Sequence, residues 1–295
     1  MIKRILVTGK SGQLGQSIQK LAKQYPQFDF QFVGRDELDL SQPNQLKTQL
    51  NQWAFDAIIN CAAYTAVDKA ETETELADAI NHRAVGKLAQ IAKDRNVFLI
   101  HVSTDYVFNG RHFKPYAESD EVEPQNVYGD SKLKGEQAIR IINPSAAIVR
   151  TSWVYSEFGN NFVKTMLRLG QERDQLNVIF DQVGTPTYAT DLAKALLQIC
   201  EQQNVSSNKS GTAIYHFSNE GVCAWYDFAK TIFELSGISC DVSPIETKDY
   251  PTPAKRPHYS VLNKAKIKQD FALAIPYWKD SLKACLLEIE KNDAK

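Results

Sequence analysis

Lys3-Arg4-Ile5-Leu6-Val7-Thr8-Gly9-Lys10-Ser11-Gly12-Gln13-Leu14-Gly15 is the stretch from which the architecture can be read. Residues 3–7 form a short apolar run that predicts a buried strand. The glycines follow at once, and Ile18, Leu21 and Ala22 then mark one face of an amphipathic helix. Glycine between a strand and a helix lets the backbone turn and come close to a pyrophosphate. The helix N-terminus offers that anion unpaired N–H groups and partial positive charge. Gly9, Lys10, Ser11, Gly12, Gln13, Leu14 and Gly15 are therefore candidate nucleotide contacts. The spacing is Gly-x-x-Gly-x-x-Gly, not the Gly-x-Gly-x-x-Gly of the older dinucleotide fingerprint. A tight turn without ligand is the alternative.

The pattern repeats outward from this unit. Apolar runs predict strands over 28–33, 55–60, 97–102 and 147–150. Helices are expected between them: one capped by Ser41 and carrying Leu46 and Leu50, one over 73–94, and one over 133–142 that stops at Asn143-Pro144. Alternating strands and helices imply a doubly wound parallel sheet covered on both faces, with ligands at the carboxyl ends of the strands. Ala62-Ala63-Tyr64-Thr65, Ser103-Thr104-Asp105 and Trp153 all fall at such ends, and the two alanines leave room for a flat ligand.

The second half alternates less cleanly. Helices are expected over 162–171, 190–201, 225–236 and 279–290, and short strands over 178–180 and 214–217. Residues 181–187 read as a loop, 202–211 as polar and exposed, and 251–257 as extended because three prolines forbid regular helix. The expected division is a dinucleotide-binding unit over 1–153 and a smaller α/β substrate-binding region over 154–295, with later segments returning to the first.

Tyr128 and Lys132 stand four positions apart. In a helix both side chains lie on one face, one turn apart. An unperturbed phenol has a pKa of about 10; a nearby ammonium favours the phenolate and eases proton transfer near neutral pH. Alone the pair is a weak signal, because a Tyr and a Lys often share an amphipathic helix. Its place after a run of strand ends strengthens it.

Composition narrows the classes. The 295 residues are 43% apolar and 23% charged, with net charge −1. That is ample for a sizeable core and carries no basic footprint for nucleic acid. No apolar run spans a bilayer. The five cysteines are odd in number, scattered, and lack zinc spacing, which fits a reduced, cytoplasmic protein.

Thr8-Gly9-x-x-Gly12-x-x-Gly15, Asn60-x-Ala62-Ala63, Ser103-Thr104-Asp105-Tyr106-Val107-Phe108 and Tyr128-x-x-x-Lys132 together resemble the extended short-chain dehydrogenase/reductase superfamily. Arg150-Thr151-Ser152-Trp153-Val154-Tyr155, Asp181-Gln182-x-Gly184-x-Pro186-Thr187 and Arg256-Pro257-x-x-Ser260-x-Leu262 look like the dTDP-4-dehydrorhamnose reductase family within it. The resemblance covers nearly the whole chain. It implies a Rossmann-type fold and reduction of the C4 ketone of a dTDP-linked 4-keto-6-deoxyhexose, with Tyr128 as proton donor and Lys132 on the nicotinamide ribose, where it also depresses the phenol pKa. It implies Thr104 at the carbonyl oxygen and Asp105 and Trp153 at the sugar. Thr104 capping a turn and Trp153 packing in a core are the alternatives. Arg256 is a candidate for the diphosphate, since guanidinium presents paired donors to phosphate; a surface salt bridge is the alternative. His101, inside a strand, reads as a core residue. Some family members are described as magnesium-dependent dimers, so a homodimer is possible, but no metal-ligand spacing stands out here.

Both NADPH and NADH are expected as cofactors, with NADPH favoured. Gly34 stands where an acidic residue normally accepts the adenosine ribose, and Arg35 beside it could pair with a 2′-phosphate or remain a solvated cation. The resemblance places Asp39-Leu40 under the adenine. The competing functions are another sugar-nucleotide 4-ketoreductase or epimerase, and a non-catalytic subunit of the kind that regulates methionine adenosyltransferase. Dehydratases of the same scaffold add a carboxylate pair after the threonine, and that pair is missing here.

Overall fold

The computed structural model describes residues 3–202 and 211–293. The polar stretch expected over 202–211 thus lies, from 203 to 210, outside the described residues. Six parallel strands form the central sheet: β1 (Lys3–Thr8), β2 (Phe28–Val33), β3 (Ala57–Asn60), β4 (Phe98–Thr104), β5 (Ala146–Thr151) and β6 (Thr212–His216). Their order is β6-β5-β4-β3-β1-β2. The chain leaves β1 for one edge and returns to β3 on the other side, so the switch point where such sheets bind ligands lies between β1 and β3.

The principal helices are α1 (Gln13–Leu21), α2 (Ala84–Asp94), α3 (Val127–Ile142), α4 (Phe162–Glu172), α5 (Ala189–Gln202), α6 (Trp225–Ser236) and α7 (Trp278–Asp293). Both sheet faces are covered, which is why the strands read as continuous apolar runs. Ile5, Val7, Ile59 and Ile100 pack with Ile18 of α1 and Leu196 of α5. Leu6, Ile58 and Leu99 point the other way, against Leu88 of α2 and Ile139 of α3.

The strand register aligns polar groups as well as apolar ones. Thr8 stands beside Asn60, and Asn60 beside His101. Three polar side chains therefore line up across β1, β3 and β4 just under the carboxyl ends.

Several expected boundaries move. The helix placed after Ser41 starts later, as a 3-10 turn at Pro43–Gln45 leading into Leu46–Leu50. Ser41 is no cap: its own N–H is taken by Asp39 Oδ1 at 2.9 Å, a local turn that competes with helix. The long helix over 73–94 is real but passes through a π turn at Ala79–Arg83. Asn143 ends α3 in the left-handed conformation at φ 52°, which Asn tolerates.

A second core lies beyond β5. Helices α4, α6 and α7 enclose Met166, Phe228, Phe233, Trp278 and Leu282, with a parallel strand pair Gln175–Ile179 and Asp241–Ile245. The strand expected at 178–180 is thus earlier and longer. Residues 181–187 are not plain loop, since Val183–Gly184 pairs with Cys223–Ala224 and Thr187–Tyr188 with Val154–Tyr155. Among the described residues, no helix is long and apolar enough to cross a membrane.

Candidate active site

A cleft of about 880 Å³ crosses the carboxyl ends of β1 to β5. Gly9, Ser11, Gly12, Gln13 and Leu14 line it at one end, and Arg35, Asp39, Leu40, Ala62, Ala63, Tyr64 and Thr65 lie along it. Thr104, Asp105, Tyr128, Lys132 and Trp153 line the remainder. Lys10, Gly15 and Arg256 do not line it.

The glycine turn is tight for reasons the sequence anticipates. Gly9 has φ 72°, and a Cβ there would lie 2.9 Å from the Ala62 nitrogen. A Cβ on Gly15 would strike the Gly9 carbonyl at 2.2 Å, so Gly15 serves the packing of α1 on the turn and not the cleft surface. The N-cap of α1 is Gly12, no side chain caps it, and its first turn carries no acidic residue. An uncapped, uncontested helix N-terminus behind an open cleft fits the pyrophosphate of a dinucleotide.

Tyr128 sits in the first turn of α3. Asn126 caps that helix, its Oδ1 accepting the Gly129 N–H at 2.8 Å. Gly129 lets α3 approach the turn after β4: a Cβ there would meet the Tyr106 carbonyl oxygen at 2.3 Å. This contact brings Tyr128 to Thr104. Burial pushes the Tyr128 phenol above its ordinary value, not below it as the resemblance implied for a phenol beside Lys132; Thr104 opposes the rise, and Asp105 and Tyr106 add to it. The Thr104 hydroxyl donates to Asp105 Oδ1 at 3.0 Å and accepts the Tyr106 N–H at 3.2 Å. The turn-capping reading and the cleft-lining reading of Thr104 thus both describe it.

Lys132 is 1% exposed. Its Nζ does not turn to Tyr128; it donates to the Val102 carbonyl at 2.7 Å and lies 3.3 Å from His101 Nε2. Burial pushes it down to about 8, against the opposing field of Glu136. His101 is fully buried, as expected, but it does more than fill the core: its Nδ1 meets Asn60 Nδ2 at 3.0 Å, and Asn60 Oδ1 accepts from Thr8 Oγ1 at 2.6 Å. A polar ladder therefore runs from the glycine turn to Lys132.

Asp105 is buried, and its Oδ2 has no hydrogen-bond partner. Burial raises its carboxyl to about 6, while the hydroxyls of Ser260 and Thr104 pull the other way. Trp153 has φ 49°, a conformation that is strained for a bulky residue. Its ring stacks on Trp225 with centroids 3.6 Å apart. It both lines the cleft and packs on the second core. Arg256 is tied to Asp68 Oδ2 at 2.6 Å and to the Tyr106 hydroxyl at 3.2 Å, so the salt-bridge reading describes it in this state.

Two supporting residues were given no role in the sequence reading, although Glu136 stands in the stretch after Lys132 that resembles the family. Asn81, in the π turn, takes the Tyr64 N–H at 2.9 Å and donates to the Tyr64 carbonyl at 3.0 Å and to Ser131 Oγ at 3.1 Å, joining the turn after β3 to α3. Glu136 receives Ser103 Oγ at 2.5 Å and Arg150 Nη2 at 2.7 Å in a buried network below the cleft. Among the described residues, no group of three or more His, Cys, Asp or Glu could hold a metal ion.

A glycine turn at the sheet's switch point, with a tyrosine and a lysine from one helix in the same cleft, is the arrangement of a Rossmann-type reductase of the short-chain kind. A family model described as the RmlD substrate binding domain matches residues 3–291, and the chain belongs to that family. It is 41% identical, over 99% of its length and 100% of the relative's, to a dTDP-4-dehydrorhamnose reductase of Sinorhizobium fredii. Among solved structures, a dTDP-4-dehydrorhamnose reductase from Clostridium acetobutylicum superposes with TM-score 0.91 at 41% identity, covering 97% of this chain and 99% of that one. One from Bacillus anthracis, in complex with NADP, gives TM-score 0.90 at 36% identity over 98% and 100%.

Proposed function

We propose that this protein reduces the C4 ketone of dTDP-4-dehydro-β-L-rhamnose to give dTDP-β-L-rhamnose, using NADPH or NADH. The observation that carries this reading is that Tyr128 and Thr104 line the same cleft as the glycine turn. The bound reduced nicotinamide supplies the hydride. The protein's own groups manage the oxygen. As charge grows on it, the Thr104 hydroxyl and the Tyr128 phenol donate to it, and Tyr128 Oη gives up its proton to complete the alcohol. A raised phenol pKa keeps that proton in place at neutral pH until an alkoxide, a far stronger base, asks for it. Lys132 is assigned the nicotinamide ribose; its nitrogen is held to the Val102 carbonyl and not to Tyr128, so it favours the phenolate left behind through its field alone.

Asp105, with an unpartnered oxygen, and the strained Trp153 are assigned to the sugar. Arg256 is assigned to the diphosphate, with its Nη2 bonded to Asp68 in this structure. We assign residues 1–153 to the dinucleotide and 154–295 mainly to the sugar nucleotide, with Thr212–His216 returning to the central sheet. All five cysteines are free, which suits a cytoplasmic setting. The test is stoichiometric oxidation of NADPH or NADH by purified protein, with the dTDP-4-keto sugar supplied or generated in place and the C4 stereochemistry of the product assigned. A folded sample that consumes neither cofactor with the correctly epimerised sugar refutes the reading. An epimerase would convert the sugar without net consumption.

A further inference from the structure

β2 ends at Val33, and the next position, where a carboxylate ordinarily accepts the adenosine ribose, is Gly34. The structure nonetheless puts a carboxylate there. A turn closed by the Glu37 N–H (3.3 Å) and the Leu38 N–H (2.9 Å) on the Gly34 carbonyl folds Glu37 back over the strand end. Its Oε2 accepts the Gly34 N–H at 2.9 Å, and its Oε1 is bonded by the Lys10 ammonium. Lys10 itself belongs to the glycine turn. Its N–H bonds the Val33 carbonyl at 3.1 Å, and its side chain crosses Gly34, where an added Cβ would come within 3.0 Å of Lys10 Cε. A carboxylate and an ammonium are thus held together at the meeting point of the glycine turn and the end of β2. Gly34 and Arg35 line the cleft at this point.

We propose that Glu37 and Lys10 form the element that discriminates between the two dinucleotides, a reading that rests on the nicotinamide cofactor assigned under the proposed function. A ribose with a free 2′-hydroxyl donates to the Glu37 carboxylate and leaves the Glu37–Lys10 pair intact. A 2′-phosphate is repelled by Glu37 and attracted by Lys10, so it binds by exchanging partners: Lys10 leaves Glu37 for the phosphate, and the Glu37 side chain, anchored only at the Gly34 N–H, swings to solvent. Arg35 adds a second, weaker charge, because its side chain is 77% exposed and only 3.7 Å from Asp39. The Lys10 bond holds the Glu37 carboxyl below the usual carboxylate range, so the repulsion persists across neutral pH. Both dinucleotides bind, and the strength of the Glu37–Lys10 pair sets the ratio.

The test is direct binding without turnover: calorimetric titration of the full chain with NADP⁺, NAD⁺, 2′,5′-ADP and 5′-ADP. Glu37→Gln keeps an acceptor for the Gly34 N–H but removes the charge. It should raise the affinity ratio of NADP⁺ to NAD⁺ by about tenfold, and that of 2′,5′-ADP to 5′-ADP alike. Lys10→Met should lower both ratios by a similar factor, with the unfolding midpoint confirming that each variant is folded. A wild type that binds both dinucleotides, with a ratio unmoved by Glu37→Gln, overturns this proposal alone. A folded wild type that binds neither overturns it together with the cofactor assignment.

Discussion

Asp105→Asn should make this protein more stable and less active, and the stability gain should depend on pH. Asp105 is 3% exposed, and its carboxyl is raised from an ordinary 3.8 to about 6, chiefly by burial. The folded chain therefore holds that proton more tightly than the unfolded chain. With a raised folded value, the stabilisation is fully present below about pH 4 and is lost as pH rises through about 6. The difference of about two units, at about 1.4 kcal/mol each, makes the ionised side chain cost about 3 kcal/mol at neutral pH. Asn has nearly the same shape and no charge, and its carbonyl still accepts the Thr104 hydroxyl bonded at 3.0 Å in the wild type. The variant should gain up to about 3 kcal/mol over wild type at about pH 8, about 1 kcal/mol at about pH 4.5 and almost nothing at about pH 3. Equilibrium urea unfolding of both proteins across that range measures it, and subtraction removes every other titrating group. Turnover should fall, because the unpartnered oxygen assigned to a sugar hydroxyl becomes a donor. A stability difference that stays flat across the range would refute the claim that burial of an ionisable Asp105 is the cause.

Tyr128→Phe keeps the ring and removes the proton; kcat should drop by about 10² to 10⁴ with cofactor affinity retained, and near-full activity in a steady-state assay would exclude Tyr128 as the donor. Lys132→Met should damage turnover and cofactor affinity together, which titration and kinetics on one preparation will separate. Arg35→Ala should weaken NADPH by about fivefold at most, the limit for an exposed charge pair, and leave kcat/KM with NADH unchanged; equal losses for the two cofactors would show that Arg35 does not read the 2′-phosphate. His101→Phe strands Asn60 and Lys132 without their ring nitrogen and should cost about 1–3 kcal/mol in unfolding free energy, whereas an unchanged unfolding curve would show that the ladder contributes nothing.

The parallel sheet was legible because buried strands joined by helices leave apolar runs at regular intervals, and 28–33 matches Phe28–Val33 residue for residue. The convergence of Tyr128, Thr104 and the glycines on one cleft was legible because such sheets gather their loops at the carboxyl ends of the strands. Helix starts were harder to read. Ser41 has a good capping side chain, but Asp39 two residues earlier captured its N–H, and local side-chain bonds of that kind leave no periodic trace. The support beneath the site was present in the pattern. Ala77, Asn81, Ala84 and Leu88 occupy one inward stripe, and the single polar member is the residue that holds Tyr64 and Ser131. Lys132, Glu136 and Ile139 form a similar stripe on α3, and His101 and Ser103 share a face of β4 beneath it. A polar residue where the period demands an apolar one was the available signal. The Arg256–Asp68 pair and the folding back of Glu37 had none, because each joins segments whose approach depends on the whole fold.

The spacing that puts Tyr128 and Lys132 on one helix face does not make them partners, and the ladder explains why. The Ala62 N–H donates to Thr8 Oγ1 at 3.2 Å, which leaves the Thr8 proton for Asn60 Oδ1. Asn60 must then offer its amide N–H to His101 Nδ1. Burial drives the imidazole pKa well below its ordinary value, so the ring is neutral and its one proton sits on Nε2, facing Lys132. A ring N–H opposed to an ammonium is donor against donor. Opposed to a neutral amine, it finds a lone pair, and the amine still donates to the Val102 carbonyl. Every group in the row is satisfied only when Lys132 is uncharged. Burial pulls in the same direction, and Glu136 pulls against it, which is how a lysine comes to rest at about 8. At that value a modest change in local charge shifts its balance. The phenolate that forms on Tyr128 as its proton leaves shifts it further toward the ammonium, which is already the major form at neutral pH. At neutral pH a lysine at about 8 is still mostly charged, so its contribution comes through the field of that ammonium, on a scaffold that holds its nitrogen to β4 and leaves the Tyr128 phenol in the cleft with Thr104.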